Sequence, residues 1–280
     1  FTFSTNSWEC PSCGFTPIIN NGIISHSPKF ANNGDGGFKK ASFSDLAKFE
    51  NKSFWFKSRN KLITWALKRF NGKSNNFLEV GCGTGFVLKG ISRAFPSIHL
   101  VGTEIHRKGL DYAIDRVPKG DFMQMDARQT PFYEEFDSIG AFDVLEHIKE
   151  DELVVRELYS ALKPGGILLI SVPQHPFLWS AADEYACHVR RYNNDNIVGI
   201  VKRSGFHILK NTSFVFILFP LMYLSRINNR NCKDYNPSNE FRINRFINYI
   251  FYLVLIFEIF CIKIGISFPL GGSRFIIAKK

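Results

Sequence analysis

The sequence predicts an α/β protein: a doubly wound, mostly parallel seven-stranded sheet, with an irregular and helical N-terminal extension and an apolar helical insertion before the last strand. Three observations carry this. Short apolar runs alternate with segments of helical period between Phe77 and Val172, the signature of parallel strands covered by helices on both faces. A glycine-rich turn, Gly81-Cys82-Gly83-Thr84-Gly85, stands between the first such run and the first such helix. A chain of 280 residues, 45% hydrophobic and 21% charged, is also large enough to bury a full core.

Residues 1–40 are rich in Pro, Gly, Asn and Ser and lack a long amphipathic period, so they read as an irregular arm; Asn32 to Gly37 is a loop signature within it. In residues 41–74, Leu46, Phe49, Phe54, Trp55, Leu62 and Trp65 recur at helical spacing, which predicts one or two helices forming a lid. Residues 75–280 form the main domain. Its expected strands are Phe77 to Val80, Leu100 to Thr103, Phe122 to Met125, Ser138 to Phe142 and Ile167 to Val172, with helices at Phe86 to Ala94, Lys108 to Arg116 and Asp151 to Leu162. Lys163-Pro-Gly-Gly166 ends the last of these helices, because Pro cannot continue it and Gly supplies the turn. A helix at Asn194 to Ser204, a strand at Gly205 to Lys210 and a last strand at Ser273 to Lys279 follow, and residues 214–268 are the apolar insertion.

Glycines after a buried strand and before a helix let a ligand approach the backbone and the helix N-terminus. A dinucleotide turn wants G-x-G-x-x-G, but Phe86 stands three residues after Gly83, so the third glycine falls one place early and NAD or FAD is disfavoured. Glu104, ending the second strand, is placed to accept hydrogen bonds from ribose hydroxyls. Asp126, ending the third, is placed to accept from an adenine amine, and Ala127 offers its backbone amide beside it.

Five segments in order, LEVGCGTG (Leu78 to Gly85), GTEI (Gly102 to Ile105), MDA (Met125 to Ala127), FDVLEH (Phe142 to His147) and LKPGG (Leu162 to Gly166), resemble the motifs of class I S-adenosylmethionine-dependent methyltransferases. The resemblance implies a Rossmann-like methyltransferase fold and S-adenosylmethionine as cofactor. It implies that Glu79 and Gly81, Cys82, Gly83, Thr84 and Gly85 hold the methionine part, Glu104 the ribose, and Ile105 and Asp126 the adenine, while Phe142 lines the path to the methyl group. The N-P-P-Y signature of base-amine methylation is absent, so no DNA partner is expected. Asp143-Val-Leu-Glu-His147 is similar to small-molecule enzymes, including those acting on quinone precursors.

The acceptor is expected where the chain leaves the fifth strand, a stretch that concentrates Trp179, Arg190, Arg191 and Tyr192. Arg190 and Arg191 suit a carboxylate or phosphate. A histidine titrating near neutrality suits removal of the acceptor proton, which makes His147, His175 and His188 candidate bases; methyl transfer by alignment alone, without a base, stands beside them.

Cys10-Pro-Ser-Cys13 is half of a zinc knuckle. With no second pair of matching spacing, free thiols or a remnant turn are favoured over metal, and a reduced cytoplasmic setting over disulfides. The net charge of +10 favours an anionic substrate, nucleic acid or an acidic membrane surface. Phe214 to Leu224 and Phe246 to Ile264 are the most apolar stretches, and the first is too short to span and contains Pro220. An interfacial hairpin at the inner face of the membrane, a homodimer surface or a helix over the acceptor pocket remains, with Asn248, Glu258 and Lys263 as a polar interruption of the second stretch. The expected activity is O- or N-methylation of a small-molecule or lipid-linked acceptor. The rivals are an RNA or protein methyltransferase, for which no RNA-binding signature appears, and a non-catalytic scaffold, which the acidic anchors Glu104 and Asp126 disfavour.

Overall fold

The computed structural model describes residues 14, 16–20, 22–27, 42–230, 235 and 243–280. Cys10, Cys13 and the Asn32 to Gly37 loop lie outside the described residues. The parallel strands are β3 (Asn76–Val80), β4 (His99–Glu104), β5 (Asp121–Gln124), β6 (Phe136–Phe142) and β7 (Leu162–Pro173); β8 (His207–Phe214) and β9 (Ser273–Lys279) close one side antiparallel. These seven run in the order β5-β4-β3-β6-β7-β9-β8. Their carboxyl ends therefore meet where β4 and β6 diverge from β3, the crevice in which such sheets bind ligands.

Side chains alternate between the two faces, as the pleat requires. Leu78, Val80, Leu168, Ile170 and Ile276 pack with Val154, Leu158, Ile197 and Val201 of helices Asp151–Ala161 and Asn194–Arg203. Phe77, Ile167, Leu169, Phe275 and Ile277 pack with the other layer, helices Phe54–Asn71, Phe86–Ala94, Arg107–Arg116 and Arg245–Lys263.

The N-terminal arm departs from expectation. Two three-residue strands, β1 (Ile18–Asn20) and β2 (Ile23–Ser25), form a hairpin, and β2 adds parallel to β5, making the sheet nine-stranded. A side chain fixes this edge: Gln124 accepts from Ser25 Oγ at 2.6 Å and Ser27 N at 3.1 Å, and its amide donates to Ser27 O at 2.7 Å. The strand expected at Gly205 to Lys210 instead begins at His207 and runs on to Phe214. In β7 the Lys163-Pro-Gly-Gly166 turn is absorbed as an irregular start, with a register shift against β6 between Phe136 and Ser138.

The insertion holds helices Phe219–Asn228 and Arg245–Lys263. Phe214 and Ser273 are in register across β8 and β9, so the segment leaves and returns at one point on the sheet. Two of its polar residues, Asn248 and Glu258, make inward contacts, whereas Lys263 is exposed. Asn248 Oδ1 accepts from Phe54 N at 3.0 Å, standing in for a side-chain cap at that helix start, and its amide donates to Lys52 O at 3.0 Å. Glu258, fully buried, accepts from Phe216 N at 2.9 Å and Ile217 N at 3.0 Å. Burial raises its pKa against the lowering effect of those amides.

Replacing Glu258 with Leu strands two amides, a loss of about 1–3 kcal/mol. The expected fall in melting temperature is about 3–10 °C, with Glu258→Gln, which keeps an acceptor oxygen, close to the native value; calorimetry checks both.

Candidate active site

The turn after β3 is shaped by three glycines with left-handed backbone, Gly81 (φ 67), Gly83 (φ 53) and Gly85 (φ 72). A Cβ on Gly81 would stand 2.4 Å from Val144 Cγ2, so the protein itself fills that space, whereas a Cβ on Gly83 meets nothing nearer than Phe43 Cε1 at 3.9 Å. Gly83 thus leaves open room over the turn. Gly85 precedes the Phe86–Ala94 helix and packs on Ala113. Cys82 is buried, its amide donates to Thr103 O at 2.9 Å, and burial pushes its thiol pKa well up. Thr84 Oγ1 donates to Glu50, which Arg116 holds at 2.6 Å.

Glu104 ends β4 with one oxygen accepting from Gly83 N at 3.1 Å and the other from His106 N at 3.0 Å. Burial raises its pKa while these amides lower it. Glu79, 3% exposed, keeps Oε2 without a hydrogen-bond partner, and desolvation pushes its pKa well up despite the Arg59 charge. Asp126 is brought to the same crevice, already paired: Arg128 donates to both its oxygens, at 3.0 and 2.7 Å. Burial acts upward on the Asp126 pKa, but those bonds win and hold it low. Ile105 O accepts from Gln124 Nε2 at 3.2 Å, and Ala127 and Phe142 are buried in the wall.

One continuous crevice of about 1050 Å³ joins this end to a second group of side chains. His188 Nδ1 donates to Asp183 Oδ1 at 2.8 Å, and Arg191 Nε donates to the same oxygen at 2.7 Å. Burial acts upward on Asp183, yet the His188 and Arg191 contacts bring its pKa to about 2. His188 Nε2 lies 4.0 Å from Glu146 Oε1. Glu146 is fully buried, neither carboxylate oxygen has a hydrogen-bond partner, and desolvation pushes its pKa to about 8. Burial first, then the neighbouring His188 charge, drives His147 down to about 3. Arg59 pairs with Asp143, lies 4.4 Å over the Trp55 ring, and is brought to about 10 by burial.

Four residues expected at the acceptor do not line the crevice. Tyr192 is buried with its hydroxyl donating to Asp151 at 2.7 Å, and Arg190 donates to the same Asp151 oxygen at 2.6 Å, so both serve to anchor a helix start. His175 stacks on Phe177 at 4.9 Å, and Trp179 closes the short helical turn Pro176–Leu178. Their chemistry was legible in the sequence, but the direction of Arg190 and Tyr192 is set by Asp151, 39 and 41 residues away, and that of His175 by its own turn. Sequence reasoning missed Arg59, Asp143, Glu146 and Asp183 as site residues. Glu146 sat inside a quoted motif and Asp183 inside the acceptor stretch, but Arg59 carried no local signal.

A glycine turn after β3, a carboxylate ending β4 and a crevice at the carboxyl ends of this sheet together define a class I methyltransferase architecture. The profile of the methyltransferase-domain family matches residues 50–211, more than half of the chain, and the chain belongs to that family. It is 22% identical, over 56% of its own length and 60% of the relative's, to a protein of Mycolicibacterium smegmatis described as a probable S-adenosylmethionine-dependent methyltransferase. It is 31% identical, over 35% and 38%, to the trans-aconitate 2-methyltransferase of Variovorax paradoxus. The matched part thus spans less than two thirds of these curated relatives. A solved S-adenosylmethionine-dependent methyltransferase of Thermotoga maritima shares the fold, with a TM-score of 0.55 at 15% identity over 86% of this chain and 95% of that one. S-adenosylmethionine is the cofactor of the family. The residues fit it: open space over Gly83, the Glu104 carboxylate facing that turn, and an unpartnered Glu79 oxygen behind it.

Two glycine substitutions separate folding from binding. Gly81→Ala drives a methyl into Val144 and is expected to lower the melting temperature by several degrees; Gly83→Ala bears only the left-handed penalty of about 1–2 kcal/mol yet weakens S-adenosylhomocysteine binding at least tenfold. Calorimetry on both variants reads the two effects apart.

Proposed function

We propose that this protein transfers a methyl group from S-adenosylmethionine to an oxygen or nitrogen of a small-molecule or lipid-linked acceptor. The observation that carries this is the single crevice that connects the glycine turn to the Asp183–His188 pair. Bound there, the cofactor supplies an electrophilic methyl on its sulfonium. Gly81 to Gly85 and Glu79 would hold its amino-acid end, Glu104 its ribose, and Ile105, Asp126 and Ala127 its adenine. The Arg128 pairing means that Asp126 shares its carboxylate with an adenine amine rather than offering it whole. Phe142 lines the approach.

Of the three candidate bases, His188 fits best. Asp183 occupies Nδ1 and leaves Nε2, on a residue that lines the crevice, to take a proton from the acceptor. His147 is a weaker base by its lowered pKa, and His175 lies outside the crevice. Close alignment of acceptor and methyl supplies the larger part of the acceleration.

The acceptor end is roofed by Leu218, Leu221, Met222 and Phe251 of the insertion. Away from the crevice, Phe246 (71% exposed), Tyr249, Leu253, Phe257 (59%) and Phe260 form one helical stripe, and Leu224 and Ile227 of the shorter helix are exposed too. Arg245 and Lys263 end the long helix, and the acidic residue within it, Glu258, is buried. Apolar stripes flanked by cations suit an anionic lipid surface, so the reading places the acceptor, and the work of the enzyme, at such a surface.

Glu104→Ala is expected to reduce S-adenosylhomocysteine affinity at least tenfold. His188→Ala is expected to leave that affinity unchanged and slow product formation by about 10²-fold or more, using an acceptor found by screening extracts with labelled cofactor. No cofactor binding by the native protein would overturn the enzyme reading. In vesicle sedimentation the protein should pellet with phosphatidylglycerol-containing vesicles and less with neutral ones, and Phe246→Ser with Phe257→Ser should release it; equal recovery from both vesicle types defeats the membrane reading.

A further inference from the structure

Glu146 and His188 meet in a way that methyl transfer does not require. Glu146 has a fully buried side chain, and neither oxygen has a hydrogen-bond partner. A buried carboxylate of that kind is expensive unless a cation or donors compensate it. The guanidinium groups of Arg59 and Arg191 act on it through space, but neither donates to it. One ligand atom from each of Glu146, His147 and His188 lies within 4.8 Å of the others, and the Glu146–His188 pair is already at 4.0 Å. The rings of His147 and His188 stand edge to face, 4.8 Å apart.

The surroundings of His188 are those of a metal ligand. Its Nδ1 is held by the Asp183 carboxylate, and Asp183 is held in turn by Arg191. A carboxylate on the far nitrogen fixes the tautomer and aims Nε2, as it does behind metal-bound imidazoles. Bonds of about 2.0–2.2 Å to a tetrahedral ion put ligand atoms about 3.4 Å apart, so a pair at 4.8 Å must close by roughly 1.4 Å through side-chain rotation. Two imidazoles and one carboxylate select an ion of the zinc, cobalt or ferrous class over magnesium or calcium, which favour all-oxygen sets. All three residues line the crevice, and three protein ligands with the remaining positions open are the pattern of a reactive rather than a closed structural site.

We propose that Glu146, His147 and His188 bind one divalent ion of the zinc class on the acceptor wall of the crevice, with Asp183 positioning His188. An acceptor hydroxyl that coordinates the ion is acidified and releases its proton to water, and His188 Nε2 is then a ligand rather than a base. The site stands independently of the methyl-transfer reading, because ion binding is measured without cofactor or acceptor.

The experiment uses the full chain carrying Cys10→Ser and Cys13→Ser, so that those thiolates contribute nothing, stripped with a chelator and titrated with Co²⁺. One ion per chain is expected, with visible absorption of low coordination number and no thiolate charge-transfer band, and millimolar Mg²⁺ should not displace it. Glu146→Gln and His188→Gln should each weaken binding by about 100-fold, and Asp183→Asn by about 10-fold, with circular dichroism confirming the fold. His188 is partly exposed, so its variant carries the test if Glu146→Gln fails to fold. Binding well below one ion per chain, or an affinity unchanged by His188→Gln, overturns the proposal.

Discussion

The crevice depends on one buried cation. Arg59 projects from the Phe54–Asn71 helix into a region where Glu50, Glu79 and Glu146 all act on it through space, and it pairs directly with Asp143. Carboxylates removed from water carry a penalty that only a compensating charge or hydrogen bonds can offset. Glu79 and Glu146 obtain little from hydrogen bonds, since Glu79 Oε2 and both Glu146 oxygens have no partner. A guanidinium is the suitable counter-ion, because it stays charged even when burial brings it to about 10, and its flat face rests on Trp55. The Phe54–Asn71 helix is therefore part of the site: removing it would take the nearest cation from Glu79 of β3 and leave Glu146, after β6, with Arg191 alone.

The two ends of the crevice are built by different means. At the donor end the positions come from the sheet itself. Glu104 grips the backbone of Gly83 and His106, so the end of β4 and the turn after β3 are one unit. At the acceptor end they come from connections, with Asp183 and His188 in the segment after β7, which is pinned to that strand's end by Tyr192 N donating to Pro173 O at 2.9 Å, and a roof formed by the insertion. One end of the crevice built by the sheet and the other by connections is the arrangement by which one fold serves many chemistries.

This division also explains what could be read in advance. The strands β3 to β7 and their helices were legible because each is a short apolar run or an amphipathic period, a local property. The β1–β2 hairpin was not, because three-residue strands in a Pro- and Asn-rich stretch owe their existence to Gln124, a hundred residues on. At the donor end the residue types and their spacing along the strands sufficed to bring Gly83, Glu104 and Asp126 together, although nothing local announced that Arg128 would engage Asp126. At the acceptor end the composition was read correctly and the geometry was not: of Arg190, Arg191 and Tyr192, consecutive in sequence, only Arg191 faces the crevice, because its neighbours are drawn to Asp151.

The helix Arg245–Lys263 is apolar on both sides, with Leu255, Ile259 and Ile262 buried in the core and further large apolar side chains facing out. Asn248 and Glu258, expected to interrupt a lipid-facing side, instead point inward, where Lys52, Phe54, Phe216 and Ile217 need backbone partners. That leaves the outward face with Phe246, Tyr249, Leu253, Phe257 and Phe260 and no carboxylate. An outward row of aromatic rings is unfavourable in water, since large apolar side chains lose roughly 1.5–3 kcal/mol each when left exposed. It becomes favourable once something apolar covers the stripe. Because the same two helices roof the acceptor end of the crevice, whatever covers the stripe also stands beside the entrance, and a substrate with an apolar tail would reach the Asp183–His188 wall without its tail crossing water.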